Sequence, residues 1–381
     1  MKVVVKNAAE KSSKTIFSIR YLSILILIGI AFTSCTDDTF ELSTLQNDID
    51  NQAYVDILEH ELKSLPNNAQ VAIGLVYNGN TEYFGAINEN SVLKGIDNAD
   101  NIFEIGSITK VFTSICLSEM VDKNEASLTE QLQNQFDFPL QAGGDITFQQ
   151  LANHTSGLPS LPTNIDEVQG LNVEDPYRVY THDNLKSYLQ NHVVLNSISG
   201  TTYEYSNLAT GILGYTLARK RNISFEEMLQ SIILNPLGMT STTTLLTNVD
   251  EAKLVEPRDI DGNIVSHWNF AETMSGAGSL KSSVMDMTKF IQKNFENDDV
   301  YNLPQDATFD SGKNESTGLG WIILEEDGFL IHFHDGGTGG FSSVLMIDKS
   351  KKIGVILLSN VEDYHGTTYS ICRDLMSEIC N

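Results

Sequence analysis

Positive charge is scarce in this sequence. Of 381 residues, 24 are Lys or Arg against 50 Asp or Glu, a formal net charge of −26. Residues 1–34 hold five of the bases (Lys2, Lys6, Lys11, Lys14, Arg20) and one acid, so the remainder is at −30. A body this acidic repels a phosphate backbone, which excludes nucleic acid as a partner. Cysteine is scarce too. There are four, Cys35, Cys116, Cys372 and Cys380, with no C-x-x-C, and zinc-ribbon and thioredoxin-type sites drop out. Cys372 and Cys380 share one helical pattern, and eight residues of unbroken helix span about 12 Å, too far for a disulfide. No serine lies in G-x-S-x-G, so the α/β-hydrolase elbow is absent. The glycine-dense stretch 336–340 is not followed by Gly-Lys-Ser/Thr, so it is not a phosphate-binding loop. Asp259-x-Asp261-Gly262-Asn263 lacks the late glutamate of an EF-hand and reads as a turn. There is no internal repeat.

What is present begins with targeting. The five N-terminal bases precede one apolar run, Tyr21 to Phe32, short for a spanning helix and suited to a signal core. It ends in Thr33-Ser34-Cys35, similar to the cleavage box of bacterial lipoproteins, with Cys35 as the lipidated residue and the bilayer as partner. Residues 1–34 are then a signal peptide, and the expected location is the cell envelope. Residues 35–51 are polar and acidic and read as a flexible tether. The length that remains, 52–381, suffices for a substantial core.

In that body, strand signals sit at both ends and helical signals between them. Tyr54, Ile57, Leu58, Leu62 and Leu65 recur at helical spacing until Pro66. Two strand-like runs flank Asn78-Gly79, a hairpin signature. Residues 121–280 read as a mostly helical lobe, with Thr147, Asp183 and Ser224 as candidate caps. Residues 156–182, with Pro159, Pro162 and Pro176, and residues 299–317 read as loops. Ser283 opens another helix. Four short strand runs follow from Gly318 to Leu358, then a final helix with Tyr369, Cys372, Leu375 and Met376. The expected fold is α+β: an antiparallel sheet assembled from both ends, flanked by terminal helices, with the helical lobe inserted.

Three constellations carry chemistry. Phe103-Glu104-Ile105-Gly106-Ser107-Ile108-Thr109-Lys110 opens into the apolar run Val111 to Leu117. A serine at the start of a helix lies among unpaired N–H donors. A lysine three residues on sits one turn along the same face. Hydroxyl, base and oxyanion donors are what an acyl-transfer nucleophile needs. Alone, S-x-x-K is equally a helix cap with a solvated lysine. Tyr205 and Asn207 stand two apart on a turn before a helix. A phenol beside an ammonium has a lowered pKa and can shuttle a proton. An amide can hold a substrate carbonyl. Third, a strand ends in His334-Asp335-Gly336-Gly337, where glycine lets backbone approach a ligand. His332-x-His334-Asp335 also hints at a metal site, but Gly336 and Gly337 stand where further ligands are needed. His154 reads as structural, bonded in its own turn.

S-x-x-K, Y-x-N and H-x-G in this order resemble the serine β-lactamase and penicillin-binding-protein superfamily, in particular its class C-like branch of lactamases, DD-carboxypeptidases, D-aminopeptidases and esterases. Leu151 to Pro159, Pro236-Leu237-Gly238-Met239-Thr240, Gly276-Ala277-Gly278-Ser279-Leu280 and Gly318-Leu319-Gly320-Trp321 extend the resemblance over about 52–379. It implies Ser107 as nucleophile, Lys110 as its base or base partner, Tyr205 as general base and acid, and Asn207, His334, Gly336 and Gly337 around the substrate. The N–H groups of Ser107 and Gly337 would form the oxyanion hole. No cofactor or metal is implied. Class C lactamases resemble K-T-G where this chain has His334-Asp335-Gly336. The expectation is therefore a hydrolase of small-molecule or peptide substrates, a D-amino-acid peptidase or esterase ahead of a lactamase or a penicillin-binding sensor with little turnover.

Overall fold

The computed structural model describes residues 42–380, apart from Lys313, Asp327 and Asp363. The proposed signal segment and Cys35 lie outside the described residues. Twelve described strands form two sheets. They are β1 (Leu42–Ser43), β2 (Gln70–Tyr77), β3 (Asn80–Glu89), β4 (Val92–Gly95), β5 (Phe103–Glu104), β6 (Lys281–Ser282), β7 (Phe309–Gly312), β8 (Glu315–Thr317), β9 (Ile322–Glu326), β10 (Phe329–Gly337), β11 (Ser342–Asp348) and β12 (Ile353–Ser359). The helices used below are α1 (Gln52–Glu61), α2 (Thr109–Asp122), α3 (Phe148–Ala152), α4 (His182–Asn191), α5 (Asn207–Arg221), α6 (Phe225–Leu229), α7 (Glu272–Gly278), α8 (Val284–Asn294) and α9 (His365–Glu378).

The main sheet runs β1-β4-β3-β2-β12-β11-β10-β9-β8-β7, and β5 pairs β6 apart from it. Its pairings are antiparallel except β1 with β4. The two ends of the chain meet at its centre, where Gly354 of β12 faces Val76 of β2. The β2–β3 hairpin turns through Asn78 and Gly79, both at positive φ (51° and 77°), as a two-residue turn of matching twist demands. Strand alternation then divides the core. Val71, Ile73, Leu75, Val355 and Leu357 face Tyr54 and Leu58 of α1 and Ile371, Cys372 and Leu375 of α9. Ala72, Val76, Ile356 and Leu358 face the other way, towards α8 and the helical lobe. β12 is buried on both faces, so it reads as an unbroken apolar run.

Four expectations change. The tether does not extend to residue 51: Leu42–Ser43 pairs with Val92–Leu93, and Leu45 and Ile49 are buried against the sheet. Their polar neighbours face water, which made the segment look like linker. The helix after the 156–182 loop is capped by Thr181, with Asp183 inside its first turn. Residues 299–317 are not plain loop but hold a helical turn and β7 and β8. Strand β9 begins at Ile322 rather than Gly318, because Gly320 takes φ +71. The caps at Thr147 and Ser283 and the capping box at Ser224 form where the sequence places them, and Thr147 proves to be a capping box as well.

Candidate active site

Ser107 lies in a single 3-10 turn, Gly106–Ile108, that runs straight into α2. Every residue of α2 from Thr109 to Met120 is buried, so the turn is presented by a fixed post. The turn rests on β10. Gly106 has φ +48, and a Cβ there would lie 2.6 Å from the Gly337 nitrogen, so only glycine allows this approach. β10 outruns its neighbour β9, whose pairing stops at Phe333 with Ile322. From His334 to Gly337 that edge has no strand partner in β9 and meets the serine turn instead.

Lys110 is fully buried. Its Nζ lies 2.8 Å from Ser107 Oγ and donates to the Ala277 carbonyl at 2.7 Å. That carbonyl belongs to α7, which packs close on α5: a Cβ on Gly276 would fall 2.6 Å from Thr210 O. Burial drives the Lys110 amine well below its ordinary value, opposed by Asp335. In its neutral form, with one N–H on Ala277, the amine can turn its lone pair to the Ser107 O–H.

Tyr205 is half-buried. It lies beside Ser107, and Lys110 Nζ stands 4.8 Å from the ring centre. Here an expectation fails: the phenol is pushed well above 10, because burial outweighs any help from the lysine. Tyr205 is held from behind by His154. The His154 carbonyl accepts the Glu204 N–H at 2.7 Å and its Nδ1 accepts the Ser206 N–H at 3.2 Å. The two imidazole and phenol rings are 4.5 Å apart. His154 has φ +60 and an unpartnered, buried Nε2.

Asn207 is the first residue of α5, whose cap is Ser206. Its amide donates to Tyr177 Oη at 3.2 Å. Sequence reasoning missed Tyr177, which stacks on Phe270 at 4.9 Å and meets Trp268 edge-on at 5.4 Å. Glu104 fixes this wall by accepting from His267 Nδ1 and Trp268 N, each at 2.9 Å. His334 is buried, its Nδ1–H turned onto the Asp335 carbonyl, and burial lowers it to about 4. It is a neutral imidazole at pH 7. His332 instead donates to Gln305 O at 3.0 Å, and among the described residues no group of three His, Cys, Asp or Glu is placed to hold a metal.

Known proteins resemble this chain in sequence and fold. The family model described as Beta-lactamase covers residues 65–368. A beta-lactamase of Escherichia coli K12 is 22% identical over 86% of this chain and 91% of its own. The D-alanyl-D-alanine-carboxypeptidase/endopeptidase AmpH of the same strain is 27% identical over 74% and 77%. A class C beta-lactamase from Rhodobacter sphaeroides superposes with TM-score 0.72 at 18% identity, over 87% of this chain and 100% of its own. A penicillin-binding protein homologue from Pyrococcus abyssi gives 0.71 at 21%, over 87% and 78%. With most of its length matched and the fold shared, the chain belongs to the beta-lactamase family of serine hydrolases.

Proposed function

We propose that the chain cleaves an amide or ester through an acyl-enzyme on Ser107, with a D-amino-acid peptide or a related ester as substrate. The observation that carries this is the buried, depressed Lys110 amine 2.8 Å from Ser107 Oγ. Lys110 takes the hydroxyl proton as Oγ attacks the carbonyl carbon. The oxyanion is received by the N–H groups of Ser107 and Gly337. The Tyr205 phenol, still protonated, gives its proton to the leaving atom and regains one from Lys110. Water then enters, gives its proton back along the same groups, and releases the acid. Asn207 and Tyr177 Oη hold the acyl side.

A peptidase or esterase fits better than a lactamase. Where a lysine would meet a substrate carboxylate, His334 is neutral and Asp335 is an acid. Anchoring through a lipidated Cys35, in the cell envelope, completes the reading; Cys35→Ser should move the protein from membrane to soluble fraction, and unchanged fractionation would remove the anchor.

A fluorophosphonate should label wild type and not Ser107→Ala. Lys110→Ala and Tyr205→Phe should each lower kcat by ~10²–10⁴. Labelling elsewhere than Ser107, or wild-type rates in either variant, overturns the assignment. Rapid hydrolysis of a chromogenic cephalosporin would restore the lactamase.

A further inference from the structure

The middle residue of His334-Asp335-Gly336 has no part in the mechanism above, yet it is the charge nearest to it. Asp335 and Gly337 alternate along β10 and so share a face. The first residue of α9, His365, covers both. Its Nδ1 is 3.6 Å from Asp335 Oδ2, and a Cβ on Gly337 would lie 2.6 Å from its Nε2. The Asp335 side chain keeps 40% of its surface exposed and His365 28%, so an incoming group meets both. A second acid, Glu315 of β8, acts with Asp335 on Tyr203.

Among the described residues, no lysine or arginine is ion-paired with Asp335; its partners are the imidazoles of His365 and, at 4.0 Å, His334. The Asp335 charge is felt by Lys110, Tyr203, Tyr205 and His334. Glu315 adds to the negative charge felt by Tyr203, and Lys110 is fully buried, out of reach of a substrate group in the cleft. A substrate carboxylate at this edge would face like charge without a partner. A neutral amide would lose nothing, and an ammonium would gain an ion pair with Asp335.

We propose that Asp335, backed by His365 and Glu315, makes the Gly337 side of the cleft a specificity edge that admits neutral or cationic leaving groups and rejects carboxylates. This rests on Ser107 being the nucleophile. It narrows the substrates to esters, or amides of amines, whose departing half bears no free carboxylate.

The test uses three aryl acetates that differ at the para position: carboxylate, carboxamide and aminomethyl. Each kcat/KM is divided by that ester's own hydroxide-catalysed rate. Wild type should favour the amide and amine at least tenfold over the carboxylate. Asp335→Asn should narrow that gap severalfold, chiefly by accelerating the carboxylate ester, and added salt should narrow it in the wild type without any substitution. Equal rates, a preference for the carboxylate, or no catalysis of any ester by a protein that still labels at Ser107 overturns the edge and leaves the nucleophile standing. Failure to label Ser107 overturns both. If Asp335→Asn does not fold, the wild-type ratios and their salt dependence decide.

Discussion

At the scale of single residues, burial decides the chemistry. The amine of Lys110, the proposed base, is lowered because it is out of water, and Tyr205 stays a phenol for the same reason. Position matters as much, and His154 supplies it. It grips the N–H groups on either side of Tyr205, and accepting at Nδ1 fixes the neutral tautomer with its proton on Nε2. Burial keeps it neutral, well below 6.5. His154 is therefore a positioning residue. An asparagine tolerates φ +60 and can offer Oδ1 where Nδ1 stood. His154→Asn should retain kcat within a few fold. His154→Leu should lower kcat by ~10–10² with KM little changed, since small misplacements of a reacting group cost that much. Equal kcat in the two variants, by steady-state kinetics, would show that the ring's acceptor plays no part.

Among the elements, those written in local chemistry were legible. The Asn78-Gly79 hairpin, the Thr147 cap, the Ser224 capping box and the doubly apolar β12 follow from spacing alone. Ser107, Lys110, Tyr205 and the His334–Gly337 strand end could be picked out because each repeats a short motif that the fold then gathers. What escaped has no local period. Tyr177 lies in an irregular loop, and its meaning comes from Phe270 and Asn207, far along the chain. His365 opens an ordinary helix and matters only through Asp335. Strands β7 and β8 are short, polar and at the sheet edge, so they carry no apolar alternation. The segment 42–51 misled because only Leu45 and Ile49 are buried in it and its strand pairing is two residues long. Leu45 is fully buried, so Leu45→Ala should cost about 2–5 kcal/mol in urea unfolding. A loss below about 0.5 kcal/mol would mean that the segment is a tether after all.

At the scale of the whole molecule, the lobe and sheet close over bases that must stay neutral. His334 is lowered from 6.5 to about 4. The unfolded chain binds that proton from about pH 6.5 downward and the folded chain does not. Its contribution to stability is therefore complete above pH 6.5 and drains away as the pH falls to about 4, on the order of 3 kcal/mol in all. The acidic surface acts oppositely, since acid relieves its self-repulsion. The comparison that isolates the imidazole is wild type against His334→Asn, by urea midpoints at pH 7 and 4.5. The wild type should lose more on acidification, and parallel losses would refute the assignment.

The pairing of β2 with β12 also sets a timetable. A ribosome adding about 5–20 residues per second needs on the order of tens of seconds to travel from the first partner to the second. Through that interval the hairpin edge at β2 waits without its neighbour, an open template for the wrong strand. The serine turn is made early, but the Gly336–Gly337 backbone on which it rests comes only near the close of synthesis. A nascent chain of this protein carries its proposed nucleophile for most of its birth while lacking the surface on which that serine turn rests.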